Sequence, residues 1–224
     1  MNTNKPFADM TIDEQIASLD GCLAEILDQY ELGQYEAESI NHEFNSSFKV
    51  TLASGEKFAL RVNVNSSRSI ENLNAEIAWV NSIKSVPVPK PQQNKAGSAV
   101  SYGWHEASGR KLPAVLYSWL EGEEPGDEPT DDQLFAMGAA MAKLHGEAAG
   151  FELPNDATLP DLTDVFWETT NFLTGPDSKL TEAEQQRVSE VFTQIEGAVS
   201  ALRGDSSLQP IHADLHPWNV MWNE

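Results

Sequence analysis

The eight residues His212-Ala-Asp-Leu-His-Pro-Trp-Asn219 put a proton acceptor and a cation ligand into one short loop. The carboxylate of Asp214 can take the proton of an attacking hydroxyl. The amide oxygen of Asn219 can ligate Mg2+ without adding negative charge beside a phosphate. A loop that fixes both groups relative to each other supplies most of what phosphoryl transfer asks of a protein. Apolar Ile211 before it and Val220-Met-Trp222 after it give a strand, loop, strand setting. A second chemistry stays open: His212, Asp214 and His216 alternate along an extended segment and could ligate a metal for hydrolysis. His42, His105 and His145 show no spacing that would extend that ligand set, and Asn219 has no part in it.

The loop needs a scaffold, and 224 residues with 40% hydrophobic content are enough for one sizeable core or two small lobes sharing a cleft. No apolar run approaches the roughly 20 residues that cross a bilayer. Met1 to Asp9 has one lysine and no apolar stretch, so it does not read as a secretory signal. Cys22 is the single cysteine, which excludes an internal disulfide and a Cys-rich zinc site. These features lead to an expectation of a cytoplasmic protein with no membrane partner. A formal charge of −21 repels phosphate backbones and argues against nucleic acid as a partner. With only 14 Lys and Arg in the chain, a site for a phosphorylated ligand must gather its cations locally.

Capping boxes at Thr11–Glu14, Thr130–Gln133 and Thr181–Glu184 predict three helix starts. The first is expected to run through Tyr30 on the stripe Ile12, Ile16, Leu19, Leu23, Ile26 and Leu27. The second carries Leu134, Met137, Met141 and Leu144 up to Gly146, and the third runs from Val188 to Leu202 before Gly204. A further helix, without a box, follows Ile70, Leu73, Ile77, Val80 and Ile83. Extended runs are predicted at Phe44–Leu52, Lys57–Val62, Ala99–Trp104 and Ala114–Trp119. Glu121 to Pro129, rich in Gly, Pro and acid, reads as a linker. Strands in the first half and helices in the second imply an α+β, two-lobed arrangement, with a cleft between lobes as the natural ligand site.

The form His-x-Asp-Leu-His-Pro-x-Asn resembles the aminoglycoside phosphotransferase, choline kinase and type II homoserine kinase superfamily, and the similarity extends over Leu32 to Glu224. That resemblance implies a protein-kinase-like fold. Residues 1–119 would form an N-terminal lobe of antiparallel sheet and helix, and 120–224 part of a helical lobe. It implies ATP and Mg2+ as cofactors and a small-molecule hydroxyl as acceptor, with Asp214 as the base and Asn219 on the metal. In Phe58-Ala-Leu-Arg-Val62, Ala59 and Arg61 share a strand face, and the resemblance puts Ala59 beside the adenine and Arg61 on the phosphates. Glu76 would orient Arg61, with Glu71 one turn earlier as the competitor. Asn45, Ser46 and Ser47 would cover the phosphates in a turn without glycine. The hinge whose backbone meets the adenine edge would be Leu116-Tyr117-Ser118-Trp119. His145, at the end of a Leu-His helix, would be structural.

Relatives of this kind carry a further metal-binding Asp and substrate-binding helices after the loop, and neither follows Asn219 here. The sequence therefore leads to the expectation of a shortened chain with weak transfer or none, ending in an apolar strand that lacks a partner. A kinase remnant that binds nucleotide without catalysis is the alternative within the same fold. The acidic stretch Glu121 to Asp132 is expected to be a solvated linker. A role in attracting a cationic acceptor is the competing reading.

Overall fold

The structure is a computed structural model, and it describes residues 5–66, 68–160, 166, 170–203 and 209–223. Two short helices, α1 (Ile12–Ala17) and α2 (Asp20–Leu27), precede strands β1 (Tyr35–His42), β2 (Ser46–Leu52) and β3 (Lys57–Val62). Helix α3 (Ile70–Ser82) follows, then β4 (Val100–His105) and β5 (Arg110–Ser118), then α4 (Asp131–Ala148) and α5 (Glu182–Arg203). The strands form one antiparallel five-stranded sheet in the order β1-β2-β3-β5-β4. Among the described residues no helix is long and apolar enough to cross a membrane.

The sheet is two-faced because its strands alternate. One face carries Phe48, Val50, Leu60, Val62, Leu112 and Leu116 against Leu19, Cys22, Leu23, Ile26 and Leu27 of the N-terminal helices, all fully or nearly fully buried. Side chains of this size each contribute about 1.5–3 kcal/mol when taken out of water. Helix α2 lies so close to β4 that a Cβ on Gly103 would sit 2.5 Å from the Cys22 carbonyl oxygen, so only glycine fits there. The opposite face carries Val100, Val115 and Tyr117, packed with Ile77 of α3, and this face looks into the cleft.

The predicted helix through Tyr30 is interrupted at Ser18–Leu19. The Ser18 hydroxyl donates to its own helix at the Gln15 carbonyl (2.6 Å) and meets His105 Nε2 at 2.9 Å, which bends the chain there. Helix α3 does have a capping box, made by Ser69 and Asn72 rather than an acid, and it was not anticipated. Lys90 Nζ caps the other end, donating to the carbonyls of Val80 (2.6 Å) and Ile83 (2.8 Å). Helix α4 runs past Gly146 to Ala148, and the Thr181 cap of α5 forms as expected. Strand β1 escaped prediction, whereas β3 has its predicted bounds.

The expected partnerless strand at the end of the sequence has a partner. Trp222 and Glu123 exchange backbone hydrogen bonds of 2.8 Å in both directions, so the acidic linker meets the end of the loop in a single antiparallel bridge.

His105 is fully buried between two hydroxyls, with Ser18 Oγ on Nε2 and Ser108 Oγ on Nδ1 at 2.8 Å. Because Ser18 spends its proton on Gln15, His105 donates from Nε2, and in the neutral ring that burial favours, Nδ1 accepts from Ser108. Burial, with Arg110 nearby, holds its pKa below the ordinary 6.5. The unfolded chain therefore binds the proton first on acidification. The stabilising contribution is complete above pH 6.5 and is lost as pH falls below it toward the folded pKa. Chemical denaturation at pH 7.5 and pH 5.5 should show a steeper stability loss in the wild type than in His105→Gln.

Candidate functional site

Cross-strand rows set the cleft face. Ser47 stands opposite Arg61, which stands opposite Val115, and the next row is Lys49, Ala59 and Tyr117. Lys57 shares this face, two residues before Ala59, so β2 and β3 present Lys49, Lys57 and Arg61 together. In a chain with only 14 Lys and Arg against 35 Asp and Glu, that is a local reversal of the overall charge. Lys57 is bound to Glu121 at 2.7 Å, and Lys49 Nζ lies 5.8 Å over the Trp119 ring.

Arg61 reaches across to α3, where its Nη2 meets Glu76 Oε1 at 2.5 Å. The Tyr117 hydroxyl donates to the same Oε1 at 2.6 Å and accepts from Nη2 at 3.2 Å. Burial works against the Arg61 charge, but Glu76 and Tyr117 more than offset it and the guanidinium stays protonated. Burial also pushes the Tyr117 phenol well above its ordinary pKa, so it remains a neutral donor. Glu71 is not in this group. It sits in the first turn of α3, where backbone and Ser69 hydrogen bonds hold its carboxyl below the usual range. The helix that bears Glu76 is fixed at several points besides its caps. Asn72 Nδ2 donates to the Thr158 carbonyl at 2.8 Å, and Glu147 of α4 accepts from the Lys84 and Ser85 amides just past the helix.

A cavity of about 600 Å³ opens beside the ion pair. Ser47, Ala59, Arg61, Glu76 and Tyr117 line it from the sheet and α3, and Leu144 and His145 from α4. Pro210, Ile211 and His212 close it, so the head of the C-terminal loop forms one wall. Further along that loop, Ala213 adopts φ 61°, a left-handed value strained for a non-glycine residue, while the Asp214 amide bonds back to the His212 carbonyl at 2.8 Å. Asn219 Nδ2 donates to the Asp214 backbone oxygen (2.9 Å) and to its Oδ2 (3.1 Å), which ties the two residues together. Asp214 is exposed, and neither it nor Asn219 lines the cavity itself.

Several expected residues lie elsewhere. The Ser46 side chain turns to the opposite face, fully buried and 2.7 Å from His42 Nδ1, so it cannot offer a donor to the cleft. Asn45 is in the β1–β2 turn, where the Glu43 amide bonds its carbonyl at 2.9 Å; its Oδ1 is buried without a hydrogen-bond partner among the described residues. The Leu116 carbonyl pairs with the Gln92 amide (2.7 Å) and the Ser118 amide with the Lys90 carbonyl (2.8 Å), so those two groups are not free to meet a base. His216 Nδ1 accepts from the Trp218 amide at 3.2 Å and Nε2 faces Asn219 at 2.9 Å. The alternative set of His212, Asp214 and His216 is not assembled as a metal site. Among the described residues no group of three or more His, Cys, Asp and Glu could hold a metal.

Sequence reasoning missed the Tyr117 side chain, whose only signal was strand alternation with Val115, and the fastening of the linker. Trp218 Nε1 donates to Asp127 Oδ1 at 3.2 Å, beside the Glu123–Trp222 pair. Gly122 has φ 141°, and a Cβ there would stand 2.5 Å from the Trp222 carbonyl oxygen. Gly122→Ala should therefore cost about 1–3 kcal/mol and loosen the linker from the loop, read as a lower urea midpoint with shifted tryptophan fluorescence.

The phosphotransferase enzyme family matches residues 36–224. No curated protein matches the chain by sequence. Among solved structures, an amicoumacin kinase in complex with AMP-PNP, Ca2+ and Ami superposes with a TM-score of 0.70 at 16% identity, over 96% of this chain and 64% of that one. A microcompartment-associated aminopropanol kinase superposes with a TM-score of 0.65 at 19% identity, over 93% of this chain and 64% of that one. This chain thus spans less than two thirds of either structure. At such identities the likeness speaks for a kinase-like α+β fold, and the match over 36–224 goes further: the chain belongs to the phosphotransferase enzyme family.

Proposed function

We propose that the chain carries the nucleotide site and catalytic loop of a kinase that transfers the γ-phosphate of ATP to the hydroxyl of a small molecule. The carrying observation is that the Arg61–Glu76 pair and the head of the His212–Asn219 loop line one cavity, although they lie far apart in sequence. In this reading residues 1–119 form the nucleotide lobe and 120–224 the beginning of a helical lobe. The two structural neighbours, described as kinases of amicoumacin and of aminopropanol, support a small-molecule acceptor.

Arg61 grips phosphate oxygens, held by Glu76, and Ala59 leaves room for the base beside Trp119. Ser47 faces the phosphates from β2, with Asn45 in the adjoining turn. The backbone edge that reads the base includes Leu120: the Leu116 carbonyl and the Ser118 amide are occupied, and strand alternation makes Leu120 the next residue on that edge. Asp214 accepts the proton of the attacking hydroxyl. Asn219 suits a hard cation such as Mg2+, because Asp214 engages its nitrogen and leaves Oδ1 as the donor. The cation supplies neutralisation of charge on the phosphate oxygens.

Calorimetric titration with ATP, with and without Mg2+, followed by transfer assays on small amino alcohols, tests this. Arg61→Ala should weaken ATP binding by about 10- to 100-fold. Asp214→Asn should leave ATP binding in place and lower transfer by about 10²–10⁴-fold. Mg2+-dependent binding without transfer to any acceptor would favour a nucleotide-binding remnant, and no binding at all would defeat the proposal.

A further inference from the structure

The contact between Arg61 and Glu76 is made by one nitrogen. Nη2 alone meets the carboxylate, where a paired arginine commonly offers two parallel N–H groups. A single contact fixes the distance between the groups and leaves the guanidinium free to swivel. Tyr117 removes that freedom. Its hydroxyl bonds both members of the pair, closing a triangle of 2.5, 2.6 and 3.2 Å, and its ring centroid lies 5.4 Å from Cζ of Arg61. The guanidinium is held at one corner and across its plane.

The geometry points to Tyr117 as a positioning residue that stands in for the second hydrogen bond of a bidentate pair, so that Nη1 of Arg61 stays free for a phosphate oxygen. Nε is buried and has no hydrogen-bond partner among the described residues, and the named contacts of Arg61 all pass through Nη2 or the ring. Nη1 is left as the donor that can meet a phosphate oxygen. A second bond to Glu76 from Nη1 would consume that donor. The inference rests on the nucleotide-binding reading and adds a function for a side chain which that reading does not use.

The test compares binding of ATP, ADP and adenosine, each with Mg2+, to the full chain. If Tyr117 acts through Arg61, Tyr117→Phe keeps the ring, loses the hydroxyl, and weakens ATP and ADP by about tenfold, with adenosine within about twofold. Because Tyr117 and Glu76 act on one guanidinium, Tyr117→Phe in a Glu76→Gln background should add less than about twofold. Equal loss for all three ligands, no loss for any, or full additivity with Glu76→Gln would overturn the assignment. If the wild type binds none of the three, the nucleotide reading itself fails, an outcome distinct from these. Should the Phe variant not fold, the wild type still decides. A hydroxyl bonded to both Glu76 and Arg61 exchanges slowly and gives an observable proton resonance, and absence of that resonance overturns the proposal.

Discussion

An arginine on a strand and a glutamate on a helix must meet across a cleft, and most of the fold's local devices serve that meeting. Arg61 is placed by the sheet, whose far face is held by the burial of Leu60, Val62 and Leu116 against α2. Glu76 is placed by α3, which is capped by Ser69 and Asn72 at one end and by Lys90 at the other. A displaced helix would leave a half-buried guanidinium without its anion, and truncating one partner of such a pair is costlier than the pair itself is stabilising. The anchors from Asn72 to Thr158 and from Glu147 to the Lys84 and Ser85 amides then make sense as supports of a single contact.

Electrostatics makes the same point at longer range. A protein with 35 acidic and 14 basic side chains offers anions little reason to approach, except where β2 and β3 bring Lys49, Lys57 and Arg61 to one face. Lys57 is partly neutralised by Glu121, and Lys49 rests over Trp119. Arg61 is the one of the three that lines the cavity. In a local field this sparse, the orientation of one guanidinium matters more than the number of cations nearby.

The parts of this arrangement that were legible in the sequence are those whose signal is local. The His212–Asn219 loop, the Ala59–Arg61 alternation and the boxes at Thr11, Thr130 and Thr181 depend on neighbours a few residues apart, and so does the α+β order of elements. Strand β1 was not legible, since Tyr35–His42 is an edge strand with mostly exposed residues and no apolar alternation to announce it. The face taken by Ser46 depends on register against β3, and the bend at Ser18 depends on a histidine 87 residues away. Glu123 reads as linker until Trp222, distant in sequence, lends it a bridge partner. In each case the deciding contact is non-local, which no short window can contain.

The stitching of the linker to the loop has an effect on chain topology. Glu123 with Trp222, and Asp127 with Trp218, join the two ends of a long excursion that includes α4 and α5. Closing that loop at its base carries an entropic cost that grows only with the logarithm of its length, about 0.6 kcal/mol for each doubling. Residues inserted or lost within the excursion, away from its pinned ends and from Leu144, His145, Glu147, Thr158 and the wall at Pro210, Ile211 and His212, therefore change the stability of the closure very little. The excursion is the segment in which this architecture can vary in length while the cleft beneath it keeps its geometry.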